Sequence, residues 1–205
     1  MRYQNLILIA SFIFLCSACS KSKTKIVKST SEDGFTKEYE VDKKSNLKNG
    51  IYRLFDPSNN LVEETQYLND QIHGNRKLFY KNGALESEEQ YVEGKFEGSF
   101  KGYYESGVLK QEGNYENGQM LGKWNSYYEN GKLKEVVTFK DSEENGPFIE
   151  YYENGVTKAE GSYLNGDYEH GPLVIFKEDG SVDRKMNCVE GRCKTIWSSE
   201  NKSEE

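Results

Sequence analysis

At 205 residues and a formal net charge of −7, the chain has the length of one domain and is too acidic to favour nucleic acid or anionic lipid surfaces. Its 19 glycines against 3 prolines, and 15 tyrosines against 3 methionines, exclude a compact helical core and point to turns and aromatic strands.

Residues 1–18 read as an export signal. Met1-Arg2 precedes an uncharged stretch dominated by Leu6 to Leu15, too short for a spanning helix of roughly 20 apolar residues. Leu15-Cys16-Ser17-Ala18-Cys19 resembles a bacterial lipobox, in which small residues precede the cysteine that becomes the acylated N-terminus. The resemblance implies a lipid on Cys19, a tether over residues 19–24 and a place in the cell envelope. No acidic residue directly follows Cys19, so the expected site is the bacterial outer membrane. Loss of Arg2 with the signal takes the formal charge from −7 to −8.

The repeat domain is expected over residues 25–193. A degenerate hairpin centred on Asp33-Gly34 opens it as a cap. Six copies of a 24-residue unit follow, opening at Gly50, Gly74, Gly98, Gly122, Gly146 and Gly171. Such a period means a stacked array in which each unit buries its face on the next. The centres of three copies, Tyr103-Tyr104-Glu105-Ser106-Gly107, Tyr127-Tyr128-Glu129-Asn130-Gly131 and Tyr151-Tyr152-Glu153-Asn154-Gly155, are nearly identical.

Asn-Gly between alternating aromatic runs predicts a two-residue hairpin loop with both residues at positive φ. In that register Tyr128 faces Leu133 and Trp124 faces Val137. Paired glycines, as in Gly94-Lys95-Phe96-Glu97-Gly98, reverse the chain between units. The predicted fold is therefore all-β, a single elongated antiparallel meander of about six or seven stacked hairpins. Alternation puts Phe100, Trp124, Phe148, the second tyrosines and Leu85, Leu109 and Leu133 on a packed face. The other face carries an aromatic file, Phe79, Tyr103, Tyr127, Tyr151 and Phe176, beside a lysine file, Lys110, Lys134 and Lys158.

The pattern Tyr-Tyr-x-Asn-Gly-x-Leu, then an aromatic, then Gly-x-x-x-Gly resembles the bacterial MORN-repeat variant found in the YwqK-type antitoxin family, over about residues 50–187. The resemblance implies a β-meander used for protein contact.

Cys188 and Cys193 close the domain. Outside the cytoplasm such a pair reads as a disulfide across a tight turn; a redox pair is more often Cys-x-x-Cys, and zinc wants two further ligands. Residues 194–205 are polar and acidic and read as a frayed tail in which Trp197 docks on the last strand.

Catalytic material is sparse. His73 and His170 occupy the place before a unit-opening glycine, where a turn is expected, about 38 Å apart at ~4.8 Å per strand. Glu105, Glu129 and Glu153 recur at about 10 Å, beyond the ~6.5–9.5 Å of an inverting glycosidase pair. Asp141-Ser142-Glu143-Glu144-Asn145-Gly146 starts like a calcium loop, but its twelfth position is Tyr152 instead of glutamate. No catalytic residue, metal or cofactor is assigned. The reading is a non-catalytic, lipid-anchored envelope scaffold that binds a protein partner through the aromatic and lysine files. Its rivals are an immunity or antitoxin role, capping a toxin, and glycan or cell-wall binding through the tyrosines.

Overall fold

Aromatic and β-branched residues alternating with polar ones, punctuated by glycines at the tips and joints, specify strands and reversals. The computed structural model describes residues 23–200. Fifteen strands form one antiparallel sheet in strict sequence order. The first pair is β1 (Thr24–Thr30) and β2 (Thr36–Asp42). Five repeat hairpins follow: β3 (Lys48–Phe55) and β4 (Leu61–Leu68), β5 (Gln71–Phe79) and β6 (Leu85–Val92), β7 (Lys95–Tyr103) and β8 (Leu109–Glu116), β9 (Gln119–Tyr127) and β10 (Leu133–Lys140), β11 (Glu143–Tyr151) and β12 (Thr157–Tyr163). The sheet ends with β13 (Gly171–Phe176), β14 (Val182–Val189) and β15 (Arg192–Ser198). Residues 194–198, expected in the tail, thus complete a strand, and Trp197 pairs with Lys185. Cross-strand hydrogen bonds and the apolar side of β14 outweigh the polar composition there.

The two kinds of turn are the reverse of the sequence expectation. At the Asn-Gly tips, Gly131 N–H donates to Tyr128 O at 2.9 Å and Tyr128 N–H to Lys132 O at 2.8 Å, enclosing a three-residue loop. Only the glycine, at φ 81°, is left-handed. The two-residue reversals lie at the joints between units, where Asn117 (φ 52°) and Gly118 (φ 84°) are both left-handed. This geometry follows the right-handed strand twist and suits tight antiparallel pairs.

The longer tip loop is followed by a one-residue register shift. Tyr127 pairs with Leu133, whereas Ser126 pairs with Glu135. The bulge leaves Lys134 extra, and the same shift recurs at Lys110 in β8 and Lys158 in β12. Leu85, Leu109 and Leu133 therefore lie opposite Phe79, Tyr103 and Tyr127, on the outer face and not on the packed one. Beyond the bulge the expected register returns, with Trp124 opposite Val137.

The packed face buries Trp124 and Phe148 to 3 % exposure. In one layer this requires the side chains of successive strands to lie over one another. The Trp124 ring covers Gly113, where a Cβ would stand 2.2 Å from it, and the Phe148 ring covers Gly161. Aromatic contacts run from Phe96 through Tyr115 and Trp124 to Phe139, and Val137, Phe148, Ala159, Leu173 and Cys188 form the apolar core. Cys188 and Cys193 are disulfide-bonded across β14 and β15.

Candidate functional site

The outer face is organised by one cross-strand row. Lys28, Glu38, Arg53, Glu64, Lys77, Glu88, Lys101 and Glu112 stand opposite one another on β1 to β8, alternating in sign without a break. Arg53 bonds Glu64 at 2.7 Å and Lys77 bonds Glu88 at 3.0 Å. Beyond β8 the row continues as Asn125, Val136, Ile149, Glu160, Val174, Lys185 and Trp197. The ladder becomes apolar at Val136, Ile149 and Val174, all half-buried.

The aromatic file borders this row. The Tyr127 hydroxyl donates to Glu112 at 2.7 Å and that of Tyr103 to Glu88 at 3.4 Å. The Tyr127 bond holds the Glu112 carboxyl below its usual range, while burial pushes the Tyr127 phenol up. Tyr151 has Val136 in the corresponding place, fifteen residues earlier in the chain. Phe79, Tyr103, Tyr127, Tyr151 and Phe176 are all half-buried, and Phe176 pairs with Val182.

The lysine file does not join them. The Lys110 ammonium sits over the Tyr104 ring at 5.7 Å and that of Lys134 over Tyr128 at 6.0 Å. Lys158 bonds Glu150 at 2.8 Å, and that bond pushes its ammonium pKa up. Bulged positions are re-aimed by the local kink, which turns Lys110 and Lys134 toward the second tyrosine of their units and Lys158 to Glu150. The sequence places them on the aromatic face because strict alternation ignores the bulge.

On the packed face, Arg76 links Glu63 at 2.8 Å and Glu89 at 3.3 Å, and Thr65, Ser87 and Tyr91 donate hydroxyls to the same carboxylates. Thr65 is fully buried and Glu89 is 7 % exposed. Burial, then the Glu89 charge, pushes the Tyr91 phenol up to about 12. With every carboxylate engaged, this network braces the sheet.

His73 lies on β5 instead of in a turn, its Nδ1 accepting from Glu93 N–H at 3.5 Å, and His170 lies between β12 and β13. Glu105, Glu129 and Glu153 are exposed at separate tips. Among the described residues no group of three or more His, Cys, Asp or Glu side chains could hold a metal ion. Nor, among them, is any helix long and apolar enough to cross a membrane. Cys19 lies outside the described residues.

The model of the MORN repeat variant matches residues 48–69, 72–93, 96–117, 120–141 and 144–165, one hairpin to each match and together more than half of the chain. The chain belongs to the MORN repeat variant family. MORN repeats are commonly protein- or membrane-binding modules, a repeat scaffold and not an enzyme class. No curated protein matches the chain.

The MORN signature residues are structural. In four successive units the second tyrosine donates its hydroxyl to the next unit's backbone: Tyr80 to Tyr103 O, Tyr104 to Tyr127 O and Tyr128 to Tyr151 O, each at 2.7 Å, and Tyr152 to Phe176 O at 2.8 Å. The tip asparagines Asn82, Asn130 and Asn154 donate to the next tip's carbonyl, a bond for which Ser106 is too short. At the opposite end the joints are stitched as well, Gly118 N–H donating to Phe96 O at 2.9 Å. These positions hold one MORN unit to the next, whereas the charge row varies along the array. The row is legible in the sequence: Arg53, Glu64, Lys77, Glu88, Lys101 and Glu112 follow at steps alternating between 11 and 13. Residue-type patterning within one unit hides it, because the two signs belong to different strands.

Proposed function

We propose that this MORN array is a non-catalytic scaffold held in the cell envelope by a lipid on Cys19, and that it binds a protein partner through the outer face of β9 to β13. One observation carries the reading. A row of alternating charges that satisfies itself on β1 to β8 gives way to Val136, Ile149 and Val174, flanked by Tyr127, Tyr151 and Phe176. Apolar and aromatic side chains left partly in water on one side of a single sheet are the usual material of a protein contact. The lipid anchor is supported by the lipobox-like residues 15–19.

The test uses a double substitution, Val136→Glu with Ile149→Lys, which continues the charge alternation. The folded variant is expected to lose capture of any partner retained by the parent from envelope and secreted fractions. Equal capture by both would overturn the assignment to this face. A captured toxin would make the protein an immunity factor, and retention by insoluble wall polysaccharide instead of protein would favour glycan binding.

A further inference from the structure

A second surface lies at the other end of the sheet and on its opposite side, independent of the partner-binding reading. Tyr39, Tyr52 and Tyr67 come from three consecutive strands, β2, β3 and β4. Tyr39 and Tyr52 are cross-strand partners with ring centroids 6.3 Å apart, and Tyr52 and Tyr67 meet edge to face at 5.8 Å. They surround the Lys48 ammonium, which stands 4.6 Å from the Tyr67 centroid, 5.5 Å from Tyr52 and 5.7 Å from Tyr39. The rings front a cleft of about 330 Å³ that also holds Lys37 and Glu63. Burial and then the Glu63 charge push the Tyr52 and Tyr67 phenols up, so the rings stay neutral π faces near neutral pH.

Three aromatic faces around one cation are the arrangement that recognises quaternary ammonium groups. Lys48 shows that a cation is accommodated here. Its backbone is pinned, N–H to Asp70 Oδ1 at 2.7 Å, but its side chain is a flexible stem. A primary ammonium surrenders strong hydration to sit on rings, whereas a trimethylammonium surrenders little and touches more ring surface. Once displaced, Lys48 would stand with Lys37 beside the occupied cage, two cations suited to an adjoining phosphate. We infer that the Tyr39, Tyr52 and Tyr67 cage is a binding site for a zwitterionic trimethylammonium phosphate, a phosphocholine group, with Lys48 as the occupant it displaces.

The test is calorimetric titration of the whole protein with phosphocholine, choline and inorganic phosphate. Phosphocholine is expected to saturate the parent protein, with phosphate alone giving no saturable heat. Tyr67→Leu, which keeps apolar bulk, should weaken phosphocholine about tenfold or more at an unchanged melting temperature; if it does not fold, Tyr39→Leu takes its place. Lys48→Gln should tighten choline about tenfold and narrow the preference for phosphocholine over choline. Unchanged affinity in the folded tyrosine variant, equal binding of phosphate alone, or no saturation in either the parent or Lys48→Gln would overturn the inference. The source of the group is read from vesicles. Sedimentation with phosphatidylcholine but not phosphatidylglycerol, reversed by free phosphocholine, identifies a membrane headgroup. Binding of free phosphocholine without sedimentation identifies a soluble or polymer-borne one.

Discussion

The strands β1 to β8 and β9 to β15 share one backbone frame and fill it in opposite ways. In the first half the outer face is a ladder of alternating charges and the packed face encloses the Arg76, Glu63 and Glu89 network. In the second, the outer row is mostly apolar and the packed face is Val137, Phe148, Ala159 and Leu173, closed by the Cys188–Cys193 bond. The frame is secured at the tips and joints, outside both rows, so the rows can change character without altering the fold. A self-satisfied charge ladder presents little to a partner, and an apolar row needs one.

The comparison is broken most severely in the first half. Arg76→Ala leaves Glu63 and Glu89 without their cation on the packed face and should cost about 3 kcal/mol in denaturant unfolding, the lower end for a broken buried pair. Lys77→Ala, on the neighbouring residue but facing outward, removes an exposed pair and should cost no more than about 1 kcal/mol. Equal losses would mean that the packed face is not the more demanding one.

Glycine sharpens the contrast at a smaller scale. A Cβ on Gly161 would stand 2.9 Å from the Phe148 ring and 3.1 Å from Leu173, so Gly161→Ala should destabilise by roughly 1–3 kcal/mol. On Gly102, in the first half, the nearest atoms lie at 3.4 Å, and Gly102→Ala should be close to neutral. Thermal unfolding of the two variants side by side decides it.

The smallest effect is with pH. Burial, then Glu150 directly opposite, raises the Glu135 carboxyl above 4.5, and burial, then Glu135, does the same for Glu144. A raised acid is a burden when ionised, and the burden is relieved as pH falls through its folded pKa toward 4.5. In the first half, backbone hydrogen bonds hold Asp42 below 3.8, and the Asn60 side chain holds Asp56 there. Their contribution persists until pH falls through those lowered values. Amide-exchange protection, corrected for intrinsic rates, should therefore rise in β9 to β12 between neutrality and pH 4.5 while β1 to β4 stays level. Below 3.8 the first half should loosen first. Falling protection of β9 to β12 above pH 4.5 would contradict the cause assigned to Glu135.

The hairpin count, the antiparallel order and the positions of Trp124 and Phe148 were legible in the sequence, because period and alternation are local properties. The bulges were not. One extra residue after each tip moves Leu133 across the sheet and turns Lys134 toward Tyr128, and nothing in Tyr-Tyr-Glu-Asn-Gly announces it. Asn-Gly suggested a two-residue loop, yet that geometry went to joints such as Asn117-Gly118, where Glu116 pairs directly with Gln119 and both loop residues are left-handed. The cage around Lys48 draws on residues 4 to 19 positions from it, on three different strands, so it emerges only once the register is known.

The tyrosine staple from each unit to the next has a consequence for the length of the array. Every staple spans 23 or 24 residues, so a unit copied into the middle would find its acceptor waiting and would offer one in turn. The charge ladder repeats every two strands, which is one unit, so insertion or deletion leaves its signs in phase. The number of repeats is thus a dial that can be turned one hairpin at a time, setting the distance between the first strand and the last while both ends keep their chemistry.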